Sequence, residues 1–139
     1  SAFFGGLAGN AGLFSTARDV ARVYQMLLNG GEIDGQRYLS KETCQLFTTE
    51  TSKISRRGLG FDKPDADDPK KGNCAPAAPA EVYGHTGFTG TCAWVDPMNE
   101  LVYVFLSNRI YPDVTNRKLN QLHIRERIQG AIYDAMKKK

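Results

Sequence analysis

The sequence predicts an α+β fold, an antiparallel sheet flanked by helices. Three observations point there. Two helical patterns come early, three strand-like segments follow from residue 81, and one long helical pattern closes the chain. This order lacks the strict strand–helix alternation that builds a parallel sheet. The 139 residues fit one domain or a piece of a larger one.

The first helix is predicted from its cap. Thr16 to Asp19 fits the T-x-x-D pattern, with Ser15 a competing N-cap. Val20, Val23, Tyr24, Leu27 and Leu28 recur at helical spacing and make one apolar face. Asn29-Gly30-Gly31 stops the helix, and Asp34-Gly35 is a turn. Ser40 caps a second helix over about 41–48, predicted to bury Leu46 and Phe47. The glycine-rich residues 1–14 read as an irregular approach packed by Phe3, Phe4, Leu7, Leu13 and Phe14. A phosphate-cradling loop is the sharper alternative, but no Gly-Lys-Ser/Thr follows and no strand precedes.

Residues 49–56 are polar and predict a loop, and Leu59-Gly60-Phe61 a short strand. Residues 62–80 hold four prolines and almost no large apolar groups, which predicts a surface loop. Glu81 to Phe88 and Thr91 to Val95 read as strands, and Asp96-Pro97-Met98-Asn99 as a turn. Leu101 to Ser107 is continuously apolar, which predicts a central strand buried on both faces. After Tyr111-Pro112-Asp113 comes a final helix over about 117–136. Leu119, Leu122, Ile128, Ala131, Ile132, Ala135 and Met136 are spaced to line its inner face, and Gly130 sits inside it.

Composition narrows the function classes. Hydrophobic residues make up 41% and charged residues 24%, a soluble globular composition. No apolar run is long enough to span a bilayer. The net charge is +3, and Lys137-Lys138-Lys139 reads as a solvated tail. No basic stripe with interleaved aromatics occurs, so nucleic acid is not an expected partner. The first residues lack a basic segment before an apolar run and do not read as a signal peptide. Cys44, Cys74 and Cys92 cannot all pair, and their spacings fit no zinc signature. His85 and His123 lie far from any Cys pair. Three free, buried thiols are expected, with neither metal nor cofactor.

The stretch with chemical character is residues 83–94, YGHTGFTGTCAW. Glycine weakens a strand interior, so it marks a bulge or the close approach of another backbone or a ligand. Two readings stay open from the residues alone. One is a strand edge against which something docks; the other is a tight hairpin whose glycines serve only the turn.

A wider pattern surrounds it. His85-Thr86-Gly87 is followed by the Trp94-Val95-Asp96-Pro97 turn and by an apolar strand running into Leu106-Ser107-Asn108-Arg109. Upstream, Gly12-Leu13-Phe14-Ser15-Thr16-Ala17-Arg18-Asp19-Val20-Ala21 matches a G-G-x-x-S-T-x-x-D-x-A-like run opening a helix. On these motifs the chain resembles the C-terminal part of the serine β-lactamase and penicillin-binding-protein superfamily. The branch is that of class C β-lactamases, D-Ala-D-Ala carboxypeptidases and related esterases. The resemblance covers essentially all of residues 1–139 and implies a partial β-lactamase/transpeptidase-like sandwich.

It also implies roles. The superfamily uses a Ser nucleophile with a Lys three residues on, a Tyr or Ser motif, and a K-T-G-like triad on an inner strand. His85-Thr86-Gly87 occupies the triad's place, with His where the pattern has Lys. The resemblance makes His85 and Phe88 catalytic candidates and Thr86, Gly87 and Thr89 substrate-binding candidates. Thr86 offers its hydroxyl to a substrate carboxylate or carbonyl, and Gly87 lets substrate or the nucleophile's helix come close. The Phe88 N–H is one of two oxyanion-hole donors, each typically worth ~3 kcal/mol of barrier. His85 hydrogen-bonds the Tyr of the second motif or the substrate carboxylate, or is merely a hydrogen-bonded strand residue.

No Ser-x-x-Lys occurs: Ser15 leads to Arg18, Ser40 to Thr43, Ser52 to Ser55, Ser55 to Gly58 and Ser107 to Ile110. No Tyr-x-Asn occurs at Tyr24, Tyr83 or Tyr111. Both motifs lie upstream of such a segment in the superfamily, so the expectation is a C-terminal portion without its nucleophile, inactive alone. Its expected partners are a β-lactam, D-amino-acid peptide or ester substrate and the N-terminal part of the same domain, with self-association through uncovered surface. The implied location is periplasmic or otherwise extracytoplasmic in a bacterium. The rival expectation is a non-catalytic ligand-binding or structural appendage of a larger cell-wall or glycan-processing enzyme. Tails after family-3 glycoside hydrolase domains are similar in their last segment, including an S-N-R-x-Y-P run like Ser107 to Pro112.

Overall fold

The computed structural model describes residues 5, 12–49, 52, 54–65, 67–68 and 72–137. Helix α1 spans Ala17–Leu28. Thr16, not Ser15, is its N-cap: the Thr16 hydroxyl accepts from the Asp19 N–H at 3.2 Å and donates to the Asp19 carboxylate at 2.8 Å. The helix ends as its sequence predicts. Gly30 takes a left-handed φ of 68°, and the N–H groups of Asn29, Gly30 and Gly31 close on α1 carbonyls. Asp34 and Gly35, both at positive φ, join two short strands missed in the sequence, β1 (Glu32–Ile33) and β2 (Gln36–Arg37). Such a turn matches the twist of a hairpin.

Helix α2 spans Lys41–Thr48, with the Ser40 hydroxyl accepting from the Thr43 N–H at 3.1 Å. Its buried residue is Cys44, whereas Leu46 and Phe47 are exposed, against expectation. Cys44 and Tyr83 line the same cavity. Val23 on α1, and Leu13 and Phe14 ahead of it, are likewise exposed rather than packed; Phe3, Phe4 and Leu7 lie outside the described residues. No strand forms at Leu59-Gly60-Phe61. Gly60, at a φ of 104°, turns the chain, and a single antiparallel bridge joins Asp62 to Gly84.

Three strands make the main sheet: β3 (Tyr83–Thr86), β4 (Cys92–Asp96) and β5 (Leu101–Phe105), antiparallel in that order. Gly84 faces Trp94, which faces Tyr103 across the ladder. The central strand is β4, all five of whose residues are buried, while β5 is an edge strand with only Tyr103 buried. This corrects the reading of 101–107 as central. An apolar run reports what a strand is built to bury, and β5 has a hydrogen-bonded neighbour on one side only, among the described residues. Helix α1 lies against β4 and β5. Cys74, Val82, Cys92, Trp94 and Tyr103 form the core cluster, with Ala78, Phe105 and Ile132 against it. The 62–80 segment is thus not only surface loop, since Cys74 and Ala75 are buried.

The terminal helix is two helices, α3 (Lys118–Gln121) and α4 (Ile124–Met136), divided at His123, whose φ of 48° breaks the helical path. The face that α4 buries is Arg125, Gln129 and Tyr133, not the apolar set. Ile132 does pack on the core, but Leu122, Ile128 and Met136 are exposed. Hydrogen bonds explain the choice. Gln129 Oε1 accepts from the Ala75 N–H at 2.8 Å, the Tyr133 hydroxyl donates to Asp96 Oδ2 at 2.8 Å, and the Tyr103 hydroxyl donates to the Arg125 carbonyl at 3.1 Å. Each satisfies a buried polar group that costs free energy if left bare.

The open β5 edge and the exposed apolar residues carry a prediction. Unpaired edges template pairing with other chains. Sedimentation velocity at low micromolar concentration is expected to show concentration-dependent association. A monodisperse monomer whose melting point ignores concentration contradicts it.

Candidate functional site

The His85-Thr86-Gly87 segment sits where β3 ends. Tyr83 and Gly84 are buried, His85, Thr86 and Gly87 half-buried, and Phe88 is 69% exposed. An aromatic ladder anchors the strand: Tyr24 of α1 meets Phe61 edge-on at 6.3 Å, and Phe61 meets Tyr83 at 5.4 Å. The turn that follows is tied tightly. The Gly87 N–H donates to the Thr91 carbonyl, the Gly90 N–H to the Gly87 carbonyl, and the Arg109 N–H to the Thr89 carbonyl, all within 2.9 Å. A Cβ on Gly87 would meet Thr91 Oγ1 at 2.3 Å. One on Gly90, at a φ of 96°, would meet Ser107 Oγ at 2.5 Å. Gly87 is thus packed within the hairpin, and Gly90 against the segment that follows β5.

The turn leaves two things outward. The Phe88 ring carries the Arg109 guanidinium 4.8 Å from its centroid. The Phe88 N–H meets no acceptor among the described residues. Thr89 engages through its carbonyl, which also accepts from Ser107 Oγ at 3.3 Å.

His85 has two polar neighbours. Its Nδ1 lies 2.6 Å from the Thr86 carbonyl oxygen, and its Nε2 lies 3.2 Å from Arg57 Nη1. Arg57 is the neighbour that sequence reading missed. It comes from a loop 28 positions upstream, pressed on the end of α2, where Gly58 leaves no room beside the Thr49 carbonyl. Behind it lies Asp62, 1% exposed. Asp62 Oδ1 is 2.8 Å from Arg56 Nε, Oδ2 accepts from Arg56 Nη2 at 3.1 Å and from Asn73 Nδ2 at 2.9 Å, and Arg57 Nε is 4.0 Å away. Burial pushes the Asp62 carboxyl up, but the hydrogen bonds from Asn73 and Arg56, with the Arg56 charge and the Lys63 N–H, outweigh it and hold it below the usual carboxylate value. The signal in the sequence was Arg56-Arg57 shortly before Asp62, a cation pair near a carboxylate.

The cysteines are buried and free. Burial pushes the Cys74 thiol up to about 12 and the Cys92 thiol to about 11, so neither offers a thiolate nucleophile near neutral pH. Among the described residues no group of three His, Cys, Asp or Glu side chains is placed to hold a metal ion.

The family model described as Beta-lactamase matches residues 2–126, most of the chain. The chain belongs to the Beta-lactamase family. Proteins carrying the provisional name D-alanyl-D-alanine carboxypeptidase are similar to it. The one from Escherichia coli K12 is 35% identical over 116 residues, which are 84% of this chain and 26% of that protein. The one from Salmonella typhi is 35% identical, over 84% of this chain and 27% of its own length. Among solved structures, a penicillin-binding-protein homolog from Caulobacter crescentus aligns with a TM-score of 0.51 and 26% identity. That alignment covers 64% of this chain and 24% of the homolog. This Beta-lactamase-family chain therefore spans about a quarter of the length of the curated relatives it matches. Its α+β sheet-and-helix build is that of the structural neighbour.

Proposed function

We propose that residues 1–139 form the C-terminal portion of an acyl-serine hydrolase, which supplies the substrate-side strand and one oxyanion donor to a nucleophile held by the N-terminal part of the same domain. The observation that carries this reading is the unsatisfied Phe88 N–H, directly after His85-Thr86-Gly87 on an exposed turn. A backbone donor that meets no acceptor among the described residues suits a carbonyl oxygen that gains charge on attack. In this reading a serine Oγ attacks the carbonyl of a β-lactam, a D-amino-acid peptide or an ester. The tetrahedral oxygen takes the Phe88 N–H and the nucleophile's own N–H, the carbonyl's C–N or C–O bond breaks as its nitrogen or oxygen takes up the serine's proton (departing from a peptide or ester, staying tethered in an opened β-lactam), and water releases the acyl group. Thr86 holds the substrate's carboxylate or carbonyl by its hydroxyl, with Gly87 and Thr89 shaping the turn beside it. The relatives' names favour a peptide ending in D-alanine, and with it an extracytoplasmic bacterial location. Among the described residues no helix is long and apolar enough to cross a membrane.

Labelling with a fluorescent penicillin, followed by mass spectrometry, tests the reading. The 139-residue chain is expected to carry no adduct. The chain extended by the upstream residues of its reading frame is expected to carry one, on a serine ahead of Ser1. An adduct on any serine of residues 1–139 overturns the proposal. An extended protein that stays unlabelled, and carries no Ser-x-x-Lys, favours the non-catalytic appendage instead.

A further inference from the structure

We infer that Arg57 is a positioning residue for His85, fixing the imidazole with its proton on Nδ1 and its lone pair on Nε2. The two contacts of the ring decide this. Nδ1 faces a carbonyl oxygen, the Thr86 oxygen at 2.6 Å, which only accepts, so the proton belongs on Nδ1. Nε2 faces Arg57 Nη1 at 3.2 Å, and a guanidinium only donates, so Nε2 accepts. The opposite tautomer loses both hydrogen bonds and sets N–H against N–H.

Arg57 is itself held. Its Nε lies 4.0 Å from the buried Asp62 carboxylate, which Arg56 and Asn73 also bind. The Asp62 backbone in turn exchanges hydrogen bonds of 2.7 and 3.0 Å with Gly84, the residue before His85. The guanidinium and the imidazole are therefore anchored to one strand, through one carboxylate and one bridge. The inference rests on reading His85-Thr86-Gly87 as the substrate-side strand and changes what that strand presents. With both ring nitrogens engaged, His85 has no free one to offer. The half-exposed guanidinium carries the remaining donors, and with them the fixed positive charge that a Lys has in the K-T-G pattern.

Long-range ¹H–¹⁵N correlation spectra of the 139-residue chain, at constant mildly alkaline pH, test this directly. The chain has two histidines, and His123→Gln identifies the His85 signals. The wild type and Arg57→Lys, which still only donates, are expected to show Nδ1 protonated and Nε2 bare. Arg57→Glu, which only accepts, is expected to move a proton onto Nε2. Arg57 is half-exposed, and the backbone amide spectrum confirms that each variant is folded. The inference is overturned if Arg57→Glu leaves Nε2 bare, if the wild type already carries a proton there, or if wild-type His85 shows the mixed tautomers of a free imidazole. The spectra read the ring in the chain alone. They are indifferent to whether a penicillin acylates the extended protein, so failure here and failure of the hydrolase reading are separate results.

Discussion

Gly84→Ala is expected to destabilise the chain by about 3 kcal/mol or more, at or beyond the upper end of overpacking costs, and to remove the cooperative unfolding of the sheet. The reason is steric. A Cβ built on Gly84 lies 2.1 Å from the Ala93 carbonyl oxygen, 2.8 Å from Trp94 Cα and 2.7 Å from the Trp94 ring. Two of these atoms are backbone of β4, the central strand, and the ring belongs to a side chain 1% exposed at the centre of the core. None can swing aside as an exposed side chain does. The opposite edge of Gly84 is pinned to Asp62, so β3 cannot slide away without losing that bridge. Gly130→Ala is the matched control. Its Cβ would meet only the Ala75 methyl, at an ordinary 4.0 Å, within helix α4. There the same substitution is expected to stabilise by roughly 0.5–1 kcal/mol, because alanine loses less backbone freedom on folding. Urea unfolding followed by circular dichroism reads both. A Gly84→Ala chain within 1 kcal/mol of the parent would show that β3 and β4 are not packed as described.

The contrast between those glycines also separates what the sequence could say from what it could not. Helix ends were legible because their signals are local. Thr16 and Ser40 cap within three residues, and Asn29-Gly30-Gly31 closes a helix on its own carbonyls. The α+β class followed from element order, and strands formed at the three segments predicted from residue 81 onward, β3 and β5 shorter than expected and β4 of the same length but shifted by one residue. The identity of the central strand was not local. LVYVF looks more buried than CAWVD, yet the latter lies in the middle and buries Asp96, which is held by its own turn and by one bond no window reveals. Its Oδ1 accepts from the Met98 and Asn99 N–H groups, and its Oδ2 from Asn99 Nδ2 and, 37 residues away, Tyr133. The same distant bonds turned α4 so that Gln129 and Tyr133 point inward and Ile128 outward. At the site, the sequence carried β3 on to Phe88, whereas the strand ends at Thr86, inside the His-Thr-Gly motif. Its partner Arg57 lay in a polar loop with no periodicity, visible only once the Asp62 bridge placed that loop beside the strand.

Asp62→Asn is expected to destabilise the chain by about 2–3 kcal/mol near neutral pH, somewhat below the 3–5 kcal/mol of a fully buried ion pair that loses one partner. The discount follows from Arg56, which is 31% exposed and regains some hydration when its partner is neutralised. The pH dependence is the sharper test. The folded carboxyl is held below its ordinary value by Asn73, Arg56 and the Lys63 N–H, against the opposing pull of burial. A folded-state value below the unfolded one means that the ionised form is favoured in the fold. Its contribution is therefore fully present above the unfolded value of about 3.9 and fades as pH falls through the folded one. The difference in stability between the parent and Asp62→Asn should be constant from about pH 5 upward and narrow below about pH 4. Urea midpoints measured across that interval decide the matter. A difference that holds level down to the acid limit, or widens there, would mean that the carboxylate is not what secures Arg56.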